Sequence, residues 1–306
     1  ALGSRPKLEK IELSMDSSQI YGYTRAIMVS NDRNISFLKM HGLGNDFVII
    51  DSRHKRINLT ADIIRKLGDR NFGVGFDQLG IIQNSEVSDA HLTFFNSDGS
   101  ISATCGNATR CIANFLMLET KKDKVDLSTD HISLQALREI DGSVSVNMGL
   151  PEIHWQKIPL LKEVDTLFLP IPGQPTATSM GNPHCSFFVD NLDQVKIEAE
   201  GAKIENHPLF PQKTNVQFVS VVSQDRLRVR VWERGVGVTK ASGSSACAVV
   251  AASVRRKITG NQVHVDLDGG TLVVNYKDDG IWMNGPTMHV FDGQLNTQFL
   301  DSVYEK

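Results

Sequence analysis

Apolar and polar residues alternate through Arg226-Leu-Arg-Val-Arg-Val-Trp232, the period of a strand with one buried face. Short runs of the same kind recur and predict strands at 35–41, 47–51, 79–83, 92–95, 131–137, 143–148, 185–189, 215–222, 262–267, 271–276 and 281–283. A helical period occupies Thr60-Ala-Asp-Ile-Ile-Arg-Lys-Leu67, with Thr60 placed to cap it. Two further stretches, Cys111-Ile-Ala-Asn-Phe-Leu-Met117 and Cys247-Ala-Val-Val-Ala-Ala252, are apolar on nearly all sides. A helix without a polar face must be buried, so both are predicted to be the cores of their units. Gly42-Leu-Gly-Asn-Asp46, Asn96-Ser-Asp-Gly99 and Glu233-Arg-Gly-Val-Gly237 read as turns. Pro159, Pro170, Pro172 and Pro175 punctuate 151–175, which reads as a linker into a second unit, and Val290-Phe291 is expected to return to the first. Residues 1–34 show no period and lack the apolar core of a signal peptide, so they read as a disordered extension.

The two buried helices begin alike. Thr104-Cys105-Gly106-Asn107 leads into one, and Ala241-Ser242-Gly243-Ser244 into the other; each follows a strand and a turn. The pattern predicts an α+β fold of two similar units, each burying one central helix in a curved sheet. If the units face each other, both helix N-termini point into one anion-attracting cleft, with Cys105 on one wall and Ser242 on the other.

Composition narrows the chemistry. The chain has 306 residues, enough for two ordinary domains. Its net charge of −3 and lack of a basic run argue against nucleic acid, and no apolar run approaches the roughly 18 residues of a membrane span. Four cysteines without CxxC spacing suggest neither a disulfide framework nor zinc, and a reducing compartment fits them. The nine histidines show no metal-ligand spacing, so no metal site is expected. Gly73-Val-Gly75 lacks the third glycine and following helix of a dinucleotide site, and no cofactor motif appears. Cys105 is the candidate reactive group, because a helix start favours the thiolate. Cys111 and Cys247, inside their helices, read as small core residues.

The motifs FLKMHGLGNDFVIID (37–51), GVGFDQ (73–78), FFNSDGS (94–100), CGNATRC (105–111), MGNPH (180–184), TNVQF (214–218), VWERGVG (231–237) and ASGSSACA (241–248) resemble those of the diaminopimelate epimerase family, in order and over nearly the whole chain. The resemblance implies two pseudo-symmetric domains, each a curved, mostly antiparallel sheet or barrel around a central helix. They are expected at 35–148 and 149–285, with a strand at about 286–300 returning to the first. It implies inversion of one α-carbon of diaminopimelate, LL to meso, without a cofactor, for lysine and cell-wall synthesis. Two cysteines would act from opposite faces, one as thiolate base and one as thiol acid. Cys105 matches the first, and Ser242 stands where the family has the second. A hydroxyl is far less acidic than a thiol, so this copy is expected to be impaired, through an engineered or a natural change.

By the same resemblance, the backbone N–H groups of Gly106, Asn107, Gly243 and Ser244 would hold the α-carboxylate. Asn45, Asn96, Asn182, Asn215 and Arg234 would hold the far end, with Glu233 and Gln78 as partners for ammonium groups, and His184 would tune the thiols. Bacterial cytoplasm is implied, with diaminopimelate as the small-molecule partner and a homodimer left open. The alternatives are a proline-type racemase of the same fold, which would usually carry histidine where Asn107 stands, and a catalytically dead amino-acid-binding relative.

Overall fold

A computed structural model describes residues 34–102 and 105–304 of the chain. The extension expected at 1–34 therefore lies, except for Asn34, outside the described residues, as do Ala103 and Thr104.

The first part runs β1 (Ile35–Gly42), β2 (Asn45–Asp51), α1 (Ala61–Gly68), β3 (Gln78–Gln83), β4 (Ala90–Asn96), β5 (Ile101–Ser102), α2 (Gly106–Thr120), β6 (Lys124–Ser128), β7 (Ser133–Arg138) and β8 (Val144–Asn147). The second runs β9 (Thr176–Ser179), β10 (Pro183–Phe188), α3 (Ile197–Glu205), β11 (Asn215–Ser223), β12 (Arg226–Glu233), β13 (Gly237–Thr239), α4 (Gly243–Arg255), β14 (Gln262–Leu267), β15 (Gly270–Lys277) and β16 (Gly280–Gly285). β17 (Met288–Leu295) and α5 (Thr297–Tyr304) follow.

Strand pairing repeats between the parts. In the first, β1–β2 is antiparallel, β2–β3 parallel, β3–β4 antiparallel, β4–β6 parallel, and β6–β7 and β7–β8 antiparallel. In the second, β9–β10, β10–β11, β11–β12, β12–β14, β14–β15 and β15–β16 follow the same sequence of senses. The long connections carry matched helices: α1 and α3 bridge the first parallel pairs, α2 and α4 the second. β8 pairs with β16, joining the parts into one continuous sheet, and β17 returns to pair with β1.

The sheet wraps the two apolar helices. α2 packs on β1, β2, β3, β6, β7 and β8, and α4 on β9, β10, β11, β15 and β16. Ile112, Ala113, Val249 and Val250 are fully buried in one core that includes strands of both parts. Burying a side chain the size of Ile112, Val249 or Val250 contributes roughly 1.5–3 kcal/mol by leaving water. α1 is the amphipathic exception. Thr60 Oγ1 accepts from Ile63 N at 3.3 Å, and Ile64 and Leu67 pack toward Val48 and Leu79.

The stretch 151–175 differs from the linker expected. Apolar residues between its prolines, Ile158, Leu160, Leu169 and Ile171, are buried with Phe187, Ile197 and Phe218. Beyond one antiparallel bridge from Glu152 to Ser179 the segment forms no strand, yet it is a packed layer. α3, β6, β9, β13 and α5 were not predicted; their runs are short or mixed with polar residues.

Candidate functional site

Cys105 and Ser242 are the N-caps of α2 and α4, with φ/ψ of −145°/98° and −142°/117°. The following residue is glycine in both, and close approach requires it. A Cβ on Gly106 would lie 2.8 Å from Met283 Cε, and one on Gly243 would lie 2.8 Å from Met283 Sδ. One β16 side chain thus lies under both helix starts. The same Gly243 position is 3.3 Å from Asn107 Oδ1, a buried oxygen without a hydrogen-bond partner. The sheet has brought the two N-termini together.

The side chains at the two caps are engaged differently. Cys105 Sγ accepts from Ala108 N at 3.4 Å. Ser242 Oγ donates to Glu233 Oε2 at 3.1 Å. Burial pushes the Cys105 thiol up to about 12; the Ala108 N–H and Arg110 oppose this, while Glu233 adds to it. The helix-start N–H favours the thiolate as expected, but burial outweighs it at this nearly closed position. Burial also raises the Glu233 carboxyl, against the hydroxyls of Thr239 and Ser242.

Around this centre lie two polar chains, one from each part. In the first, Asn107 Nδ2 donates to Asn45 Oδ1 at 3.0 Å, and Asn45 Nδ2 donates to Asp77 Oδ2 at 2.8 Å. Gln78 stands opposite Asn96 in the β3–β4 register, and its Nε2 donates to Asn96 Oδ1 at 3.2 Å and to Ser102 Oγ at 3.1 Å. In the second, His184 stands beside Asn215 in the β10–β11 register. Asn215 accepts from Arg234 N at 3.0 Å and donates to Pro183 O at 2.9 Å. Gln217 Nε2 donates to His184 Nδ1 at 2.9 Å and to Ser245 Oγ at 3.0 Å, so His184 Nε2–H donates to Asn182 Oδ1 at 2.8 Å. Burial, with the Arg234 charge, pushes His184 down to about 3 and keeps it neutral.

The structure thus gathers Cys105, Gly106, Asn107, Ser242, Gly243, Glu233 and Asn45 at one centre. Gln78 and Asn96 hold each other at one strand end, and Asn182, Asn215 and His184 at another. Arg234 is exposed, and its guanidinium donates to Gln212 O at 3.1 Å rather than to a carboxylate. Ser244 is half-buried next to Gly243. Among the described residues, no group of three His, Cys, Asp or Glu side chains could hold a metal ion, and no helix is long and apolar enough to cross a membrane.

Residues 37–154 and 176–290 match the family model of diaminopimelate epimerase. The chain belongs to the diaminopimelate epimerase family. It is 44% identical over 271 residues to a diaminopimelate epimerase of Acidiphilium cryptum, covering 86% of this chain and 97% of that protein. It is 43% identical over 268 residues to one of Phenylobacterium zucineum, covering 85% and 97%. Among solved structures, a hydroxyproline epimerase from Agrobacterium vitis has the same fold, with a TM-score of 0.65 at 14% identity, over 87% of this chain and 93% of that one.

Several residues at the family's matched motifs were passed over in the sequence. Asp77 precedes Gln78, and Gln217 lies two residues beyond Asn215 on the same strand face. Those neighbours were the available signals. Met283 carried none, because only the fold brings β16 beneath the helix starts.

Proposed function

We propose that this chain inverts one α-carbon of diaminopimelate, interconverting the LL and meso forms, with Cys105 and the residue at 242 on opposite faces of that carbon. The matched backbone of the two helix caps, both seated over Met283, carries the reading. One group removes the α-proton as its anion, and the other returns a proton from the far side. The α-carboxylate binds between the helix starts, on the N–H groups of Gly106, Asn107, Gly243 and Ser244. Such preorganised donors act most strongly on charge that develops in the transition state, so the reaction needs no cofactor.

Glu233 takes the α-ammonium. A half-buried carboxylate with a raised pKa gains from a cation, and pairing cancels the upward pull of Glu233 on Cys105. Substrate binding then prepares the thiolate that burial otherwise disfavours. Asn45, Gln78, Asn96, Asn182, Asn215 and Arg234 hold the far end, and neutral His184 fixes Asn182. The halves 35–148 with 286–300, and 149–285, supply one wall each. The work is done in bacterial cytoplasm as a step of lysine synthesis, by a monomer or homodimer.

Ser242 impairs this copy. A hydroxyl donating to Glu233 is a poor proton shuttle at neutral pH, and general acid–base groups contribute about 10²–10⁴-fold. Epimerisation of diaminopimelate by this chain and by Ser242→Cys tests the function. The cysteine form is expected to be at least about 100-fold faster. A folded, reduced Ser242→Cys protein with no diaminopimelate turnover would refute the reading.

A further inference from the structure

The largest fully buried side chain among the described residues is a charged one. Arg110 is the only charged residue of α2 before Glu119, and it is 0% exposed. Among the described residues, no carboxylate pairs with it. Nη1 donates to Met283 Sδ at 3.3 Å, a weak acceptor, and Nε and Nη2 have no partner. Two glycines make its room. A Cβ on Gly42 of β1 would lie 3.0 Å from Nη2, and one on Gly285 of β16 would lie 3.3 Å from Cζ. An unpaired buried cation is strongly unfavourable, and an apolar residue of similar volume would be the more stable choice. Folding therefore gives no reason for an arginine here.

Its surroundings give one. The guanidinium touches Met283, the side chain on which both helix starts rest. Its charge favours the thiolates of Cys111 on its own helix and Cys247 of α4, second only to the burial that opposes them, and that of Cys105 more weakly. Facing Cys105 in turn are Arg110, Cys111 and, from β12, Glu233. Most other charged groups on strands packed against α2 are engaged elsewhere, and Arg138 of β7 is half-buried. Lys39 pairs with Asp46, Asp46 also with Arg70, and Lys124 with Asp126. His41 is half-buried beside Gly42.

We propose that Arg110 is the site's fixed counter-charge: a positioning residue that seats Met283 beneath the two helix starts and favours negative charge at Cys105. The inference rests on the reading of Cys105 as a proton-transferring group. Arg110 exchanges no proton. It stays cationic while Cys105 alternates between thiol and thiolate.

The test compares Arg110→Met and Arg110→Lys in the Ser242→Cys protein, through the pH profile of kcat/KM for diaminopimelate. A second readout needs no turnover: the rate at which iodoacetamide alkylates Cys105 at about pH 8, followed by peptide mass mapping. Arg110→Met is expected to raise the midpoint of the acid limb by a few tenths of a pH unit and to slow alkylation about twofold, with a melting temperature equal to or above that of the parent. Arg110→Lys restores part of both. A lowered melting temperature with midpoint and alkylation unchanged would overturn the proposal, because Arg110 would then be structural. Failure of both Arg110→Met and Arg110→Gln to fold would overturn it for the same reason. If Ser242→Cys does not turn over diaminopimelate, the proposed reaction fails, and alkylation of Cys105 alone decides the role of Arg110.

Discussion

Cys105 and Ser242 sit at equivalent points of two matched helices, with backbone angles that agree within about 20°, yet their side chains point to different tasks. The thiol folds back on its own helix and accepts from Ala108 N. The hydroxyl leaves its helix uncapped and donates across to Glu233. The first thiol is held protonated by burial and by the Glu233 charge. The second position has a group that hardly ionises in water at all. The repeated topology fixes where the two groups stand, and chemistry at each position is then a matter of one side chain and its neighbours. A pseudo-symmetric scaffold can therefore place chemically different groups at equivalent points without changing its shape.

The sharpest way to erase the difference is Ser242→Cys. It restores the match and should raise epimerisation at least about 100-fold, read by chiral chromatography of diaminopimelate. Breaking the shared geometry has the next largest effect. Gly243→Ala places a methyl group 2.8 Å from Met283 Sδ and must push α4 or Met283 aside. A loss of about 1–3 kcal/mol in urea unfolding is expected, together with about tenfold lower kcat/KM in the Ser242→Cys background. Gly106→Ala meets Met283 Cε at 2.8 Å and Met148 Cε and Sδ at 3.0 Å, so two methionines must shift and a comparable loss on both measures is expected.

Charge at the cleft comes third. Glu233 raises the Cys105 pKa, so Glu233→Gln must lower it and speed alkylation of Cys105 at about pH 8, by a few-fold to about tenfold. This is opposite in sign to the loss of Arg110. The same variant should raise KM, because the ammonium loses its partner.

The smallest effect concerns His184. Its folded pKa is depressed from 6.5 to about 3, so the unfolded chain binds the proton more readily. The stability this neutral ring contributes is complete above pH 6.5 and is lost as pH falls toward 3. The slope from this group approaches about 1.4 kcal/mol per pH unit. Urea titrations between about pH 6 and pH 5 should show that slope in the parent and a flatter one in His184→Gln.

The helix starts were legible because glycine after a small polar residue, before an apolar run, leaves few other structures open. The Thr60 cap and the alternation through 226–232 were legible for similarly local reasons. Arg110 was not. Inside CGNATRC it reads as one polar residue in a core helix, and only the approach of Gly42 and Gly285 leaves its guanidinium buried and unpaired. The burial that opposes the Cys105 thiolate was hidden for a related reason. A helix N-terminus can be seen in a sequence, whereas the burial that overrides it comes from β12, α4 and β16, far along the chain. The packed layer at 151–175 was mistaken for a linker because prolines mark the absence of strand pairing but not the absence of a core.

The claim that matters most is that the two caps act on one carbon from opposite sides. Ser242→Cys protein, given LL-diaminopimelate in heavy water and stopped at low conversion, tests it directly. Two facing groups predict solvent deuterium at the inverted carbon of the meso product and almost none in the recovered LL substrate, because proton removal and return use different groups. Deuterium accumulating equally in recovered substrate and product would mean that a single group serves both faces, and would contradict the two-walled site.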